Sequence, residues 1–349
     1  MSLRASLLAL ALASGAAAFA ATRSDALAEA QRLYQRARDP ASLAHVHRLA
    51  REHLQRQPWN HEAARLAAIT LSQLDYPDQA EPYYKRAQPL DLADSLTRAH
   101  AITRSNQREQ AISAYEQILK QWPDDPLALR MLGGLHFSRR AYSEALAIAR
   151  RLQKIPEQAS EGHRLEASIQ HDARDPEAAV AHFSRVLELD PALKRVPADT
   201  HAIFWFSFVT DLLSLGRAQT ALDWLSSQPE GTLNPALRTL LGQAQRQLGQ
   251  GQAAEATWLA VVRDDPRLGA AWLELGKLWL ARGQVDQAVS ALEAARAVAP
   301  TEDEILYPLM LAYRRADRLT DAQATERALN QVRTEKPPKP SGMGSREPL

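Results

Sequence analysis

The sequence predicts an all-α protein, a solenoid of antiparallel helix hairpins. Six alanines form two trios, and neighbours within each trio are 34 residues apart. Prolines recur near a common phase, and a proline ends one helix and restarts the chain. The 349-residue chain has only 14 glycines and few β-branched runs, which favours helices over strands. The six alanines are Ala111, Ala145, Ala179, Ala254, Ala288 and Ala322.

Residues 269–302 contain the clearest copy of the repeated unit. Trp272 and Gly276 lie in its first amphipathic helix, Ala288 lies in its second, and Pro300 closes it. This stretch resembles the tetratricopeptide repeat family, whose pattern places tryptophan, leucine-glycine, alanine and a closing proline at these spacings. The resemblance implies a right-handed superhelical solenoid. It also implies that the first helices line a concave groove, which binds a protein or peptide partner.

The unit recurs along most of the chain, with one break in phase. Ala179 and Ala254 are 75 residues apart, seven more than two repeats, and an irregular insertion at 194–201 accounts for most of the excess. We therefore predict an N-terminal array at 21–193 and a C-terminal array at 202–334. The predicted hairpins span 25–60, 61–91, 92–125, 126–159, 160–193, 202–234, 235–268, 269–302 and 303–334.

Both ends of the chain differ from the repeats. Residues 1–20 combine Arg4, an apolar run at 5–14 and a final Ala-Phe-Ala, which is typical of a secretory signal peptide. An uncleaved anchor is the alternative, although this run is short for a membrane span. We expect export to a bacterial periplasm or the extracellular space, without stable membrane insertion after cleavage. Residues 335–349 are rich in Pro, Gly, Ser and charge, which predicts a disordered tail.

Composition excludes several functional classes. The chain has 42 Lys and Arg residues and 41 Asp and Glu residues, so its net charge is too small to attract nucleic acid. The absence of cysteine excludes disulfides, thiolate metal ligands and cysteine nucleophiles. The ten histidines lack ligand spacing, and no glycine-rich phosphate loop follows a strand. We expect no cofactor and no bound metal. The carboxylate pairs Asp124-Asp125 and Asp264-Asp265 are predicted to cap helices.

Candidate binding residues come from the resemblance, which places positions 2, 5, 9 and 12 of each unit in the groove. The groove so drawn is mildly basic in its middle and more apolar toward the C-terminal end. The guanidinium groups of arginines in this groove would suit carboxylates on a partner peptide. The alternative is that these are ordinary solvated helix charges. The partner-binding candidates on this surface are Arg130, Arg164, His171, Gln243, Arg246, Lys277 and Tyr307.

The segment 202–215 is the most aromatic stretch of the chain. Its four aromatic residues at 204, 205, 206 and 208 cannot all share one side of a helix. Phe204 and Trp205 are candidates for an exposed anchor, since buried aromatic rings dominate interface energetics. Alternatively, these rings fill the gap left by the irregular insertion.

These observations favour a non-catalytic scaffold that binds a partner protein in the groove and helps to assemble an envelope or secreted complex. One alternative is an accessory protein of a polysaccharide export or modification machine. Such a protein would need aromatic rings along the groove, and only Phe137 and Tyr307 fit. A second alternative is an enzyme within the irregular region 194–234, which is small for a separate catalytic domain.

Overall fold

A computed structural model describes residues 26–196, 198–228 and 232–335. The predicted signal peptide lies outside these residues, as does the predicted tail after Glu335. Contacts divide the chain into two compact units, Met1–Ile155 and Pro156–Leu349. The insertion that the sequence predicts at 194–201 lies inside the second unit.

The first unit contains eight described helices in succession, which form four helix hairpins; the first two helices share a hydrophobic cluster that includes Ala30, Val46 and Ala50. The eight helices are α1 (26–36), α2 (Pro40–Arg56), α3 (His61–Gln73), α4 (Pro77–Arg86), α5 (Leu92–Arg104), α6 (Arg108–Gln121), α7 (Pro126–Ser138) and α8 (Tyr142–Gln153).

The second unit contains ten described helices that pair as five hairpins, α9/α10 to α17/α18. They are α9 (Ala159–Asp172), α10 (Pro176–Leu189), α11 (His201–Ser214), α12 (Ala218–Ser227), α13 (Pro235–Gln247), α14 (Gly251–Asp264), α15 (Gly269–Ala281), α16 (Val285–Val298), α17 (Asp303–Arg315) and α18 (Leu319–Glu335).

Short polar side chains begin several of these helices. Asp125 accepts a hydrogen bond from the backbone N–H of Ala128 at 2.7 Å, which satisfies one of the free donors of α7. The predicted cap at Asp125 is therefore confirmed. The prediction for Asp264 is wrong, because its carboxylate instead accepts a hydrogen bond from the Arg238 guanidinium at 2.8 Å. The same capping arrangement as at Asp125 occurs at Asp39, Asn60, Asp91, Asp175 and Asn234.

The six phased alanines all lie in the core, where each second helix approaches its first helix. Five of them are fully buried, and Ala322 is 2% exposed. A larger side chain at these positions would push the two helices apart, because protein interiors have little free volume. The predicted all-α array of hairpins is thus confirmed, together with its physical cause.

The phase break falls between α10 and α11, where described residues on both sides of position 197 contribute contacts. Asp190 is buried, and its carboxylate accepts backbone hydrogen bonds from Lys194 at 3.0 Å and Arg195 at 2.7 Å. Leu193 and Val196 are buried in the same core cluster as α11. The connection therefore adds residues to the hairpin array and also contributes to its core.

Candidate partner-binding face

Close packing fixes how the first helix of a hairpin is rotated about its axis. A Cβ atom built on Gly276 of α15 would lie 2.4 Å from Cγ of Leu292 in α16. A Cβ atom on Gly242 of α13 would lie 2.3 Å from the indole nitrogen of Trp258 in α14. Both glycines therefore point at the second helix, whereas positions 2 and 9 of the same hairpin lie on another side. We call that side the first-helix face. Position 5 lies between the two sides, and its residues Thr239 and Leu273 are buried in these two helices.

The first-helix faces of the second unit are neighbours. Within this unit α9 contacts α11, α11 contacts α13, α13 contacts α15, and α15 contacts α17. Side chains on adjacent first helices can therefore pair with one another across the face.

His171 pairs with a carboxylate on the next first helix. Its Nδ1 lies 2.9 Å from each carboxylate oxygen of Asp211, and Asp211 is 6% exposed. Since a carboxylate only accepts, the His171 ring donates at Nδ1. This contact joins α9 to α11 and satisfies a buried acid, so a large part of the hydrogen-bonding capacity of His171 is used inside the protein.

Arg246 and Lys277 share one buried acid. Lys277 donates to Oε1 of Glu274 at 3.1 Å, and the Arg246 guanidinium lies 3.5 Å from Oε2 of the same carboxylate. Glu274 is 5% exposed. Two cations thus compensate one buried anion between α13 and α15, as buried carboxylates generally require.

Arg164 is engaged in a bidentate ion pair. Its Nε and one Nη donate to the two carboxylate oxygens of Glu161 at 2.7 and 2.6 Å. Burial alone would lower the pKa of Arg164, but the hydrogen bonds and charge of buried Glu161 raise it above its ordinary value. Arg164 is therefore held in its charged form by a group of its own helix.

The remaining groove candidates are less constrained. Gln243 is half-buried on α13, and Tyr307 on α17 is 49% exposed. Arg130 of α7 in the first unit is exposed and makes no ion pair within the described part of the chain. Of the basic candidates, Arg130 is thus the one whose charge is not already compensated.

Phe204 and Trp205 belong mainly to the interior. Phe204 is 4% exposed and packs edge-on against Phe183 at a centroid distance of 5.0 Å. Trp205 is half-buried and stacks on Trp224 of α12 at 3.8 Å. Stacked and edge-on aromatic pairs add stability beyond the area that they bury. These rings consolidate the irregular hairpin.

The large apolar residues of α11 that are exposed are Ile203 and Phe206, which were not among the predicted binding residues. They are 67% and 41% exposed. Counted from residue 202, they occupy positions 2 and 5 of their hairpin. Tyr307 likewise occupies position 5 of its own hairpin. Leu127 at position 2 of its hairpin is 38% exposed. The repeat count places both residues at groove positions but does not show that they are exposed, since Leu273 at position 5 of its own hairpin is 8% exposed.

The described residues contain no group of three His, Asp or Glu side chains that could hold a metal ion. Within the same ranges, no helix has the length and apolar character that a membrane span requires.

Comparison with known families agrees with the hairpin architecture. The sequence profile described as Tetratricopeptide repeat matches residues 96–162 and 239–303. These two segments are therefore similar to tetratricopeptide repeats. The two matches coincide with hairpins α5/α6, α7/α8, α13/α14 and α15/α16. A search of curated proteins gave no match.

The solved structures that resemble this chain include three from different organisms. A tetratricopeptide repeat protein from Parabacteroides merdae ATCC 43184 has 14% identity and a TM-score of 0.46, over 83% of this chain and 98% of that one. The pilF protein of Pseudomonas aeruginosa has 16% identity and a TM-score of 0.46, over 59% and 94%. Yeast Tom70 has 16% identity and a TM-score of 0.41, over 85% and 63%.

Proposed function

We propose that the protein is a non-catalytic scaffold, which binds a segment of a partner protein across the first-helix face of its second unit. One observation carries the proposal. Ile203, Phe206 and Tyr307 are large apolar or aromatic side chains, exposed on first helices at groove positions 2 and 5. Exposed apolar side chains on one face are typical of a protein-binding surface.

The apolar residues are better candidates for recognition than the basic ones. The cations of Arg164, Arg246 and Lys277 already compensate buried carboxylates. A partner carboxylate would have to compete with these internal pairs, and breaking them would leave a buried charge uncompensated. A partner can bind the exposed aromatic rings without breaking an internal ion pair. Aromatic side chains are also enriched among the residues that dominate binding energy.

Site-specific photo-cross-linking tests this assignment. A photoreactive phenylalanine analogue at position 206 should give a cross-linked partner in cells, and mass spectrometry would identify the partner peptide. The analogue at position 259 is the matched control, because Leu259 is 43% exposed but lies on the second helix α14. Equal cross-linking of the same partner from both positions would contradict the proposed face.

A second measurement separates binding from folding. Phe206→Ser and Tyr307→Ser each remove an exposed ring, so the melting temperature should change little. The affinity for the cross-linked partner peptide should fall at least about tenfold in the double variant. Retained affinity with unchanged stability would remove these rings from the binding surface.

We further propose that the protein works outside the cytoplasm, in the assembly of an envelope or secreted complex. The signal-like pattern of residues 1–20 and the absence of cysteine support this location. N-terminal sequencing of the protein recovered from the periplasmic fraction tests it. A mature chain that begins at Ala21 is expected, and a protein found intact in the cytoplasm would contradict the proposal.

A further inference from the structure

The first unit contains a pocket that is lined mainly by second helices of its hairpins. It has a volume of about 320 Å³ and opens between α2 and α4, the second helices of the first two hairpins. His47 and Arg51 come from α2, Gln79, Tyr83 and Arg86 come from α4, and Leu71 of α3 closes it. We call this the basic pocket. Its volume is at the lower end of the range for small-molecule sites.

The charge of the basic pocket is not balanced by its own walls. The described residues that line it include two arginines and one histidine, but no carboxylate. The side chains of Arg51 and Arg86 make no ion pair or hydrogen bond within the described part of the chain. Their guanidinium groups are therefore free to pair with an external anion, which they can bind in a bidentate manner.

The acids of α4 are engaged elsewhere. Glu81 accepts two hydrogen bonds from Arg98, both at 2.8 Å, and Asp78 accepts one from Gln107 at 3.0 Å. These acids line a different cavity of about 430 Å³ beside α5 and α6, whose lining also includes Glu109 and one cation, Arg98. Glu109 itself pairs with Arg139 at 2.9 Å. Two cavities that border the same helix therefore carry opposite charge.

The imidazole of His47 adds a third potential donor to the basic pocket. It is half-buried, its Nδ1 lies 3.3 Å from the carbonyl oxygen of Ala67, and its ring packs edge-on against Tyr83 at 5.8 Å. With Nδ1 donating to that carbonyl, Nε2 is an acceptor in the neutral ring and donates to an anion only when the ring is protonated. The rings of His47 and Tyr83 and the side chain of Leu71 give the pocket an apolar wall.

We propose that the basic pocket binds a small organic anion, whose carboxylate or phosphate pairs with Arg51 and Arg86 and whose apolar part packs on Tyr83. Burial lowers the pKa of His47, and the charge of Arg51 lowers it further, although the bond to Ala67 acts in the opposite direction. The titratable or charged groups that face His47 across the pocket are Arg51, Tyr83 and Arg86. A bound anion places a negative charge beside His47 and offsets the charge of Arg51, so it raises the pKa of His47.

Titration of the full-length protein with phenyl phosphate, benzoate and benzamide tests this site. With ring-labelled histidine, the resonance of His47 should move saturably with either anion, and its pKa should rise. The two anions distinguish phosphate from carboxylate recognition by their relative affinity. Neutral benzamide should bind at least about tenfold more weakly than the better anion. A His47→Gln variant assigns the resonance.

Paired variants identify the residues responsible. Arg51→Gln combined with Arg86→Gln should weaken binding of the better anion at least about tenfold. Arg56→Gln combined with Lys85→Gln removes the same charge from exposed positions of α2 and α4 outside the pocket, and should leave binding within about twofold. Binding lost equally in both double variants would indicate only a diffuse charge effect and overturn the proposal. Absence of a saturable His47 shift with either anion would also overturn it.

Discussion

At the scale of single residues, Gly276 and Gly134 both lie in the first helix of a hairpin but differ in the space around them. Gly276 is buried against Leu292, whereas a Cβ built on Gly134 would contact nothing within 4 Å. Gly134 is exposed on α7 and helical. A glycine in a helix is costly because of its backbone entropy, unless close packing requires it. Only Gly276 has such a packing reason.

We therefore predict opposite effects of alanine at these two positions. Gly276→Ala should lower the free energy of unfolding by about 1–3 kcal/mol, because the added methyl group overlaps Leu292. Gly134→Ala should raise it by about 0.5–1 kcal/mol, because alanine loses less entropy in a helix. Urea unfolding of both variants measures the difference. Destabilisation by Gly134→Ala would contradict the prediction and show that α7 requires a residue without a Cβ atom at this position.

Residue identity alone could not show which basic side chains of the groove are available to a partner. Arg130 and Arg164 occupy the same position of successive repeats, yet only Arg164 has a carboxylate, Glu161, three residues before it. His171 and Asp211 are 40 residues apart, a separation that differs from the repeat period because of the irregular connection. Such pairs follow from the packing of neighbouring helices, which the repeat pattern does not specify.

At the scale of elements, the hairpin α9/α10 contains a histidine pair. Nδ1 of His163 lies 3.0 Å from Nδ1 of His182, so one ring must donate and the other accept. Burial lowers the pKa of His163, and the charges of His182 and Arg185 lower it further, whereas Glu166 and Glu188 act in the opposite direction. The folded hairpin therefore favours neutral His163.

This pair predicts a loss of stability in mild acid. The ordinary histidine pKa of 6.5 applies to the unfolded chain, and the folded pKa of His163 lies below it. The unfolded state thus takes up the proton first as the pH falls, so the free energy of unfolding decreases below about pH 6.5. Urea unfolding at about pH 7.5 and about pH 5.5 should show this decrease, which His163→Asn should reduce.

The control for this prediction is His100→Asn, because His100 is exposed on α5 and lies in the other unit. It should leave the difference between the two pH values close to that of the wild type. An equal reduction by both variants would show that general histidine content, rather than the α9/α10 pair, causes the pH dependence.

The elements themselves were predictable to a large extent. The repeat of alanine and proline located the described hairpins, because close helix crossings require small residues and helix ends tolerate proline. The aromatic helix α11 was harder. Its amphipathic pattern is weak, so the exposed Phe206 could not be distinguished from the buried Phe204 and Phe208 without the packing of Phe183 and Trp224.

At the scale of the whole molecule, the described residues form several hydrophobic clusters rather than one core. One cluster runs from Ala254 to Ala322 in the second unit, and another runs from Ala99 to Leu152 in the first. In a repeat array each hairpin contacts mainly its neighbours, so stability is close to a sum of local contributions. A local defect should therefore remain local.

Hydrogen exchange in the Gly276→Ala variant tests this expectation. Gly276 belongs to α15, at the centre of the cluster from Ala254 to Ala322, so amides of α14 to α17 should exchange faster than in the wild type. Amides of α5 to α8 should keep their wild-type rates, because they belong to the cluster from Ala99 to Leu152. A uniform increase in both clusters would instead show that the chain opens as a single cooperative unit.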